Sequence, residues 1–165
     1  MNEQHTTPAC KTYAMLVFWL ALPLAVSALG AFFTVTSIDN WYATLRKPSW
    51  TPPNQVFGPV WTALYLMMGF AAWLVWRKQS GRSAALPLLL FVNQLFLNAL
   101  WSPLFFGFHR PGVALADLLL LWPILALTML VFFRSSKAAG YLLLPYLLWT
   151  TFATALNAAI FIMNR

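Results

Sequence analysis

The chain has 165 residues, 61% of them hydrophobic and 8% charged, with a formal net charge of +7. A soluble domain carries about 25% charged residues, so this composition cannot clothe itself in a hydrated surface and excludes a water-soluble globular domain. The positive charge is not a nucleic-acid signal. The ten Lys and Arg lie almost entirely between or beyond apolar stretches, where cations meet lipid headgroups.

Residues 1–12 read as a short tail holding His5 and Cys10; a single cysteine allows no intrachain disulfide. The apolar stretch at about 13–36 exceeds the signal-peptide core of about 7–15 residues, so it reads as a retained membrane span. Its Ala21, Ala25, Ala28 and Ala31, with Ser27 and Gly30 beside them, predict a face where another helix packs closely, here that of a homodimer. Residues 37–54 form the longest connection. In it Trp41-Tyr42 and Trp50 stand among Arg46, Lys47, Pro48, Pro52 and Pro53, and the prolines oppose helix. Long loops are usually functional or disordered, and this one is too aromatic for disorder; it reads as a lid over a flat apolar ligand.

The second span, 55–76, places Phe57, Trp61 and Tyr65 at four-residue steps on one helix face. The third, 84–106, carries Asn93, Gln94, Asn98 and Trp101. The fourth, 112–133, contains Asp117, the one acid within a span. The fifth, 139–162, sets Trp149, Ala153 and Asn157 four apart, with Tyr146 a turn earlier. Each segment exceeds the roughly 20 residues a spanning helix needs. The fold class is therefore an all-α integral membrane protein, one domain (13–165) built as a single bundle of five transmembrane helices.

Five spans put the termini on opposite sides. The side of the N-terminus holds Lys11, Arg77, Lys78, Arg82, Arg134 and Lys137, and the other side Arg46, Lys47, Arg110 and Arg165. The positive-inside rule then predicts a cytoplasmic N-terminus and an external lid. Pro23, Pro87, Pro103, Pro123 and Pro145 lie inside spans, where kinks can splay a bundle into a cavity or merely make packing irregular.

Two readings compete for the polar and aromatic stripes. They converge into an aromatic box with amide donors, or the amides are helix–helix glue of about 0.6–2 kcal/mol each. Trp19, Trp73 and Trp76, near span ends, read as interfacial belt residues. Asp117 reads either as a proton site or as a headgroup-level acid near Arg110 at a helix start. His109 reads as a solvated loop histidine. No Cys/His cluster, phosphate loop or Ser/His/acid set is present, so neither a metal nor a cofactor is expected.

Taken together, Trp41-Tyr42-x-x-Leu45-x-Lys47-Pro48 with Pro52-Pro53, Phe57-x-x-x-Trp61-x-x-Leu64-Tyr65, Asn98-x-x-Trp101 with Phe105-Phe106-Gly107, and Pro145-Tyr146-x-x-Trp149 with Leu156-Asn157 resemble the translocator protein / tryptophan-rich sensory protein (TspO/MBR) family over about residues 14–163. The resemblance implies a five-helix bundle with a pocket under the first loop, a homodimer in a bacterial cell membrane, and protoporphyrin IX, haem precursors and other flat apolar molecules as ligands. By motif, it implies a binding site of Tyr42, Pro52, Trp61, Tyr65, Asn98, Trp101, Trp149 and Ala153. Asp117 falls where many members carry an acid. The sterol motif of animal members needs a Tyr that the end of the fifth span lacks, which disfavours sterol binding.

The leading functional expectation is a tetrapyrrole receptor, sensor or transporter, with Arg46 and Lys47 meeting porphyrin carboxylates. The alternatives are a light- and oxygen-dependent porphyrin-degrading enzyme using Trp61 and Trp149, and a regulatory scaffold for partner membrane proteins.

Overall fold

The computed structural model describes residues 9–79 and 82–165, and its described residues form helices and connecting turns. Five helices are long and apolar enough to cross a bilayer, and the protein is an integral membrane protein. They are α1 (Ala9–Ser37), α3 (Asn54–Lys78), α4 (Arg82–Ser102), α5 (Pro111–Ser135) and α6 (Lys137–Met163); α2 is a single turn, Trp41–Thr44, in the lid. Helix α1 begins at Ala9, so residues 9–12, expected in the tail, already belong to the first helix.

The helices form a closed ring in the order α1, α3, α6, α5, α4, with α4 returning to α1. Helix α1 is the least buried member. Two core clusters fill the ring. The larger, around Met68, Ala71, Phe91, Leu125, Phe132 and Tyr146, occupies the half away from the lid; the smaller, around Tyr42, Phe105, Phe106 and Ile160, lies beneath the lid.

Pro23 explains how α1 docks on α3. Its missing N–H leaves the Trp19 carbonyl, four residues back, without a helical donor. Gly69 of α3 sits against that turn: a Cβ at 69 would overlap the Trp19 carbonyl oxygen and lie 2.9 Å from Leu20 Cα. Only glycine permits this approach, the small-residue device by which helices associate in lipid.

The belt reading of Trp19 and Trp73 is corrected here. Trp19 is 6% exposed and meets Phe91 edge-on at 5.9 Å. Trp73 is equally enclosed; its Nε1 donates to the Thr12 carbonyl at 3.3 Å, and the Arg77 guanidinium lies 4.8 Å above its ring. Both rings fill the bundle rather than ring it.

Pro103, expected to disturb the third span, opens a π-helical turn at Pro103–Gly107. There Phe108 N donates to Pro103 O at 2.8 Å, a five-residue step. The widened turn places Phe105 and Phe106 inward and leads to His109, whose φ of 56° reverses the chain before α5.

Candidate ligand-binding site

Between the lid and the middle of the bundle lies a cavity of about 310 Å³. Four-residue steps on α3 bring Phe57, Trp61 and Tyr65 to its wall, with Trp61 and Tyr65 stacked at 5.4 Å. Helix α6 opposes them with Trp149 and Ala153, and Phe57 meets Trp149 edge-on at 5.9 Å. From α4 come Asn98 and Trp101, the latter stacked on Phe105 at 5.2 Å. Tyr42 roofs the cavity from the lid, its ring 5.6 Å from Phe106; burial pushes its phenol above the ordinary tyrosine range.

Seven residues expected at the site, Tyr42, Trp61, Tyr65, Asn98, Trp101, Trp149 and Ala153, thus line one cavity. Pro52 is half-buried in the lid and is not part of the lining. The lining also includes Ser27, Ala31 and Thr34 of α1, which the sequence reading left out or assigned to a dimer face. Ser27 and Thr34, seven apart in the otherwise apolar run 14–35, were the signal available for them.

The amides and the rings divide the labour. Asn98 Oδ1 accepts from the Tyr65 hydroxyl, and its Nδ2 donates to the Tyr146 hydroxyl at 2.9 Å. Asn157 Oδ1 accepts from Trp101 Nε1 at 3.1 Å while its Nδ2 donates to Pro111 O at 2.7 Å. Both carboxamides are therefore cross-helix struts: Asn98 ties α4 to α3 and α6, and Asn157 ties α6 to α4 and α5. The glue reading holds for the amides and the box reading for the aromatic rings. Among the wall residues, the Trp149 Nε1 donor is buried without a partner.

Neighbouring polar residues part company. Asn93 is exposed and turns its Nδ2 back to Leu89 O, whereas Gln94 is fully buried with both amide atoms unpartnered. Asp117 is buried as well, with Oδ2 unpartnered, so it faces the bundle rather than a headgroup cation. His109 is exposed as expected, yet its ring stacks on Trp41 at 4.4 Å and 18°.

The lid is fastened to the bundle at two points and braced within itself at a third. Ser37 Oγ donates to Phe106 O at 2.8 Å, closing α1 onto the π turn. Lys47 Nζ donates to Tyr42 O at 2.7 Å and Leu45 O at 3.0 Å and lies 4.7 Å from the Tyr42 ring centre. Asn164, just past α6, grips the Arg46 backbone from both sides: Arg46 N donates to Asn164 Oδ1 at 2.9 Å, and Asn164 Nδ2 donates to Arg46 O at 2.8 Å.

A profile of the TspO/MBR family matches residues 19–163. The chain is 44% identical over 168 residues to a tryptophan-rich protein TspO from Chlorobaculum tepidum, covering 99% of both chains. It is 46% identical over 128 residues to the human translocator protein, covering 76% of each, and 40% identical over 142 residues to a tryptophan-rich sensory protein from Cereibacter sphaeroides, covering 84% of this chain and 88% of the relative.

Proposed function

Because the chain belongs to the TspO/MBR family, we propose that it is a membrane receptor, sensor or transporter whose cavity binds tetrapyrroles such as protoporphyrin IX and related flat apolar molecules. The observation that carries this reading is the wall of rings, with Trp61 and Tyr65 on one helix opposed by Trp149 on another. Aromatic faces favour offset stacking with a flat conjugated partner, and the small set of polar groups fits the usual make-up of a ligand pocket.

For the carboxylate contact, expected from both Arg46 and Lys47, we propose Arg46. The Lys47 ammonium is occupied by loop carbonyls, which leaves the exposed Arg46 as the lid cation for a porphyrin carboxylate. Titration of the purified protein with protoporphyrin IX, a sterol and an isoquinoline carboxamide, read by tryptophan quenching, tests the assignment. Saturable quenching by the porphyrin, competed by the carboxamide and little affected by the sterol, is the expected result. No saturable quenching by the porphyrin removes this reading.

Light- and oxygen-dependent degradation of the bound porphyrin is a second reading, favoured by Trp61 and Trp149 lining the same cavity. Illumination with and without oxygen separates it from binding, because only degradation loses the Soret band when oxygen is present.

The location that accompanies the proposal is a bacterial cell membrane with the N-terminus in the cytoplasm, so a reporter fused after Arg165 should be active outside. Two copies would pair along α1, where Ala21, Ala25 and Ala28 are exposed. Ala25→Leu with Ala28→Leu should then shift the protein toward monomer in detergent, measured by light scattering.

A further inference from the structure

The ring of helices closes unevenly. At Gly69, α1 and α3 meet backbone to backbone; about three turns nearer the lid, a Cβ at Gly58 would find nothing within 4 Å. The two helices touch at one end and part at the other.

The cavity's exposed lining lies along this parting. It consists of Ala31 and Val35 on α1 and Asn54, Gly58 and Thr62 on α3, whereas the lining residues of α4, α5 and α6 are buried or half-buried. At about 1.5 Å per residue, Gly58 and Thr62 lie roughly 6 and 12 Å along α3 from its start at Asn54, which carries the opening down toward the acyl chains. Its hydroxyls turn inward on their own helices: Thr62 Oγ1 donates to Gly58 O at 2.9 Å and Thr34 Oγ1 to Gly30 O at 2.9 Å. The rim therefore offers mainly the methyl groups of Ala31, Val35 and Thr62 to its surroundings, with the Asn54 carboxamide confined to the lid end of α3.

The other way into the cavity, beneath the lid, is tied to the bundle by the Ser37 and Asn164 bonds, while Lys47 braces the loop from within. Between α1 and α3 the hydrogen bond among the described residues is Trp73 to Thr12, at the opposite end of the bundle. A route from water is thus laced shut, while a route from lipid has only van der Waals contacts to part.

We propose that the cavity loads and empties sideways, through the gap between α1 and α3, and that its natural ligand is a flat amphiphile already dissolved in the bilayer. The apolar body passes Gly58 and Thr62, while a charged end stays at headgroup level beside Arg46. The proposal rests on the ligand-binding reading above and adds the phase from which the ligand comes. A cavity of about 310 Å³ sits at the small end of ligand pockets, so a macrocycle fills it and extends into the gap.

Stopped-flow mixing of protoporphyrin IX with the full chain in phosphatidylcholine–phosphatidylglycerol nanodiscs tests the route, using wild type, Gly58→Phe and Asn164→Ala. Loss of a wall contact speeds dissociation, whereas a blocked door slows both directions. Gly58→Phe should lower the association and dissociation rate constants together, each by about tenfold, as expected when access and not contact is altered. Asn164→Ala, which unhooks the lid, should leave both rates unchanged. Unchanged rates in Gly58→Phe, or faster uptake in Asn164→Ala, would mean passage beneath the lid and overturn the proposal.

A second measurement needs neither porphyrin nor a folded Gly58→Phe protein. A nitroxide on Thr62→Cys, in a Cys10→Ser background, should be relaxed more by oxygen than by a water-soluble nickel chelate. The reverse order places the gap in water and also overturns the proposal. If wild type binds no porphyrin, the binding reading fails, and the Thr62 result alone decides where the gap opens.

Discussion

In the half of the bundle beside Gln79 and Ser135, Phe91 and Phe132 stack at 6.0 Å, Trp19 meets Phe91, and Met68, Ala71, Ala72 and Val75 have no exposed surface. In the half beside the lid, Phe57, Trp61, Trp101 and Trp149 stand around an open volume. The two halves draw on the same residue types, so aromatic content does not decide between filling and walling. The small residues of α3 decide it. Gly69, Ala71 and Ala72 let neighbouring helices close, whereas a ring at every turn from Phe57 to Tyr65 holds them apart.

The comparison breaks most readily at Trp73. If it fills the packed half, Trp73→Ala should cost about 3–5 kcal/mol of stability and leave porphyrin affinity unchanged, measured by unfolding in mixed micelles beside a binding titration. Gly69→Val should cost about 3 kcal/mol by driving α1 off α3, seen as a lowered unfolding midpoint; an unchanged midpoint would refute the backbone contact with Trp19. Trp149→Ala belongs to the hollow half, and should weaken porphyrin binding by about 1–3 kcal/mol while lowering stability less than Trp73→Ala does. Equal effects at Trp73 and Trp149 on both measurements would erase the distinction between the halves. The smallest effect is a gain. Gln94→Leu removes two unpartnered buried amide atoms and should stabilise the protein by about 1 kcal/mol, read as a raised melting temperature. A loss there would reveal a partner, such as a buried water, held by the amide.

Five spans were legible because bilayer thickness fixes the length of an apolar run, and every expected span overlaps an observed helix. The α3, α4 and α6 stripes were legible too, since four-residue spacing puts Trp61 with Tyr65 and Trp149 with Ala153 on one face whatever surrounds it. What the helix faced was not legible. Lipid and protein interior are both apolar, so a span lacks the polar face that orients a soluble helix. For that reason Trp19 and Trp73 passed for belt residues, and adjacent Asn93 and Gln94 could not be sorted into lipid-facing and buried. The fate of Lys47 depended on the fold of the loop itself, and the grip of Asn164 on Arg46 on two segments far apart in sequence.

That grip joins positions 118 residues apart, and its consequence concerns the order in which the molecule is made. Chains emerge from the ribosome N-terminal end first. By the time α5 is inserted, Trp61, Tyr65, Asn98 and Trp101 are all in the membrane, yet the ring is still open between α3 and α5. The opposing wall of Trp149 and Ala153, the Tyr146 partner of Asn98 and the Asn164 clasp on the lid arrive together with α6. A nascent chain halted before that helix has half a wall and an unfastened lid. The complete cavity with its fastened lid is therefore the last feature this fold acquires during synthesis.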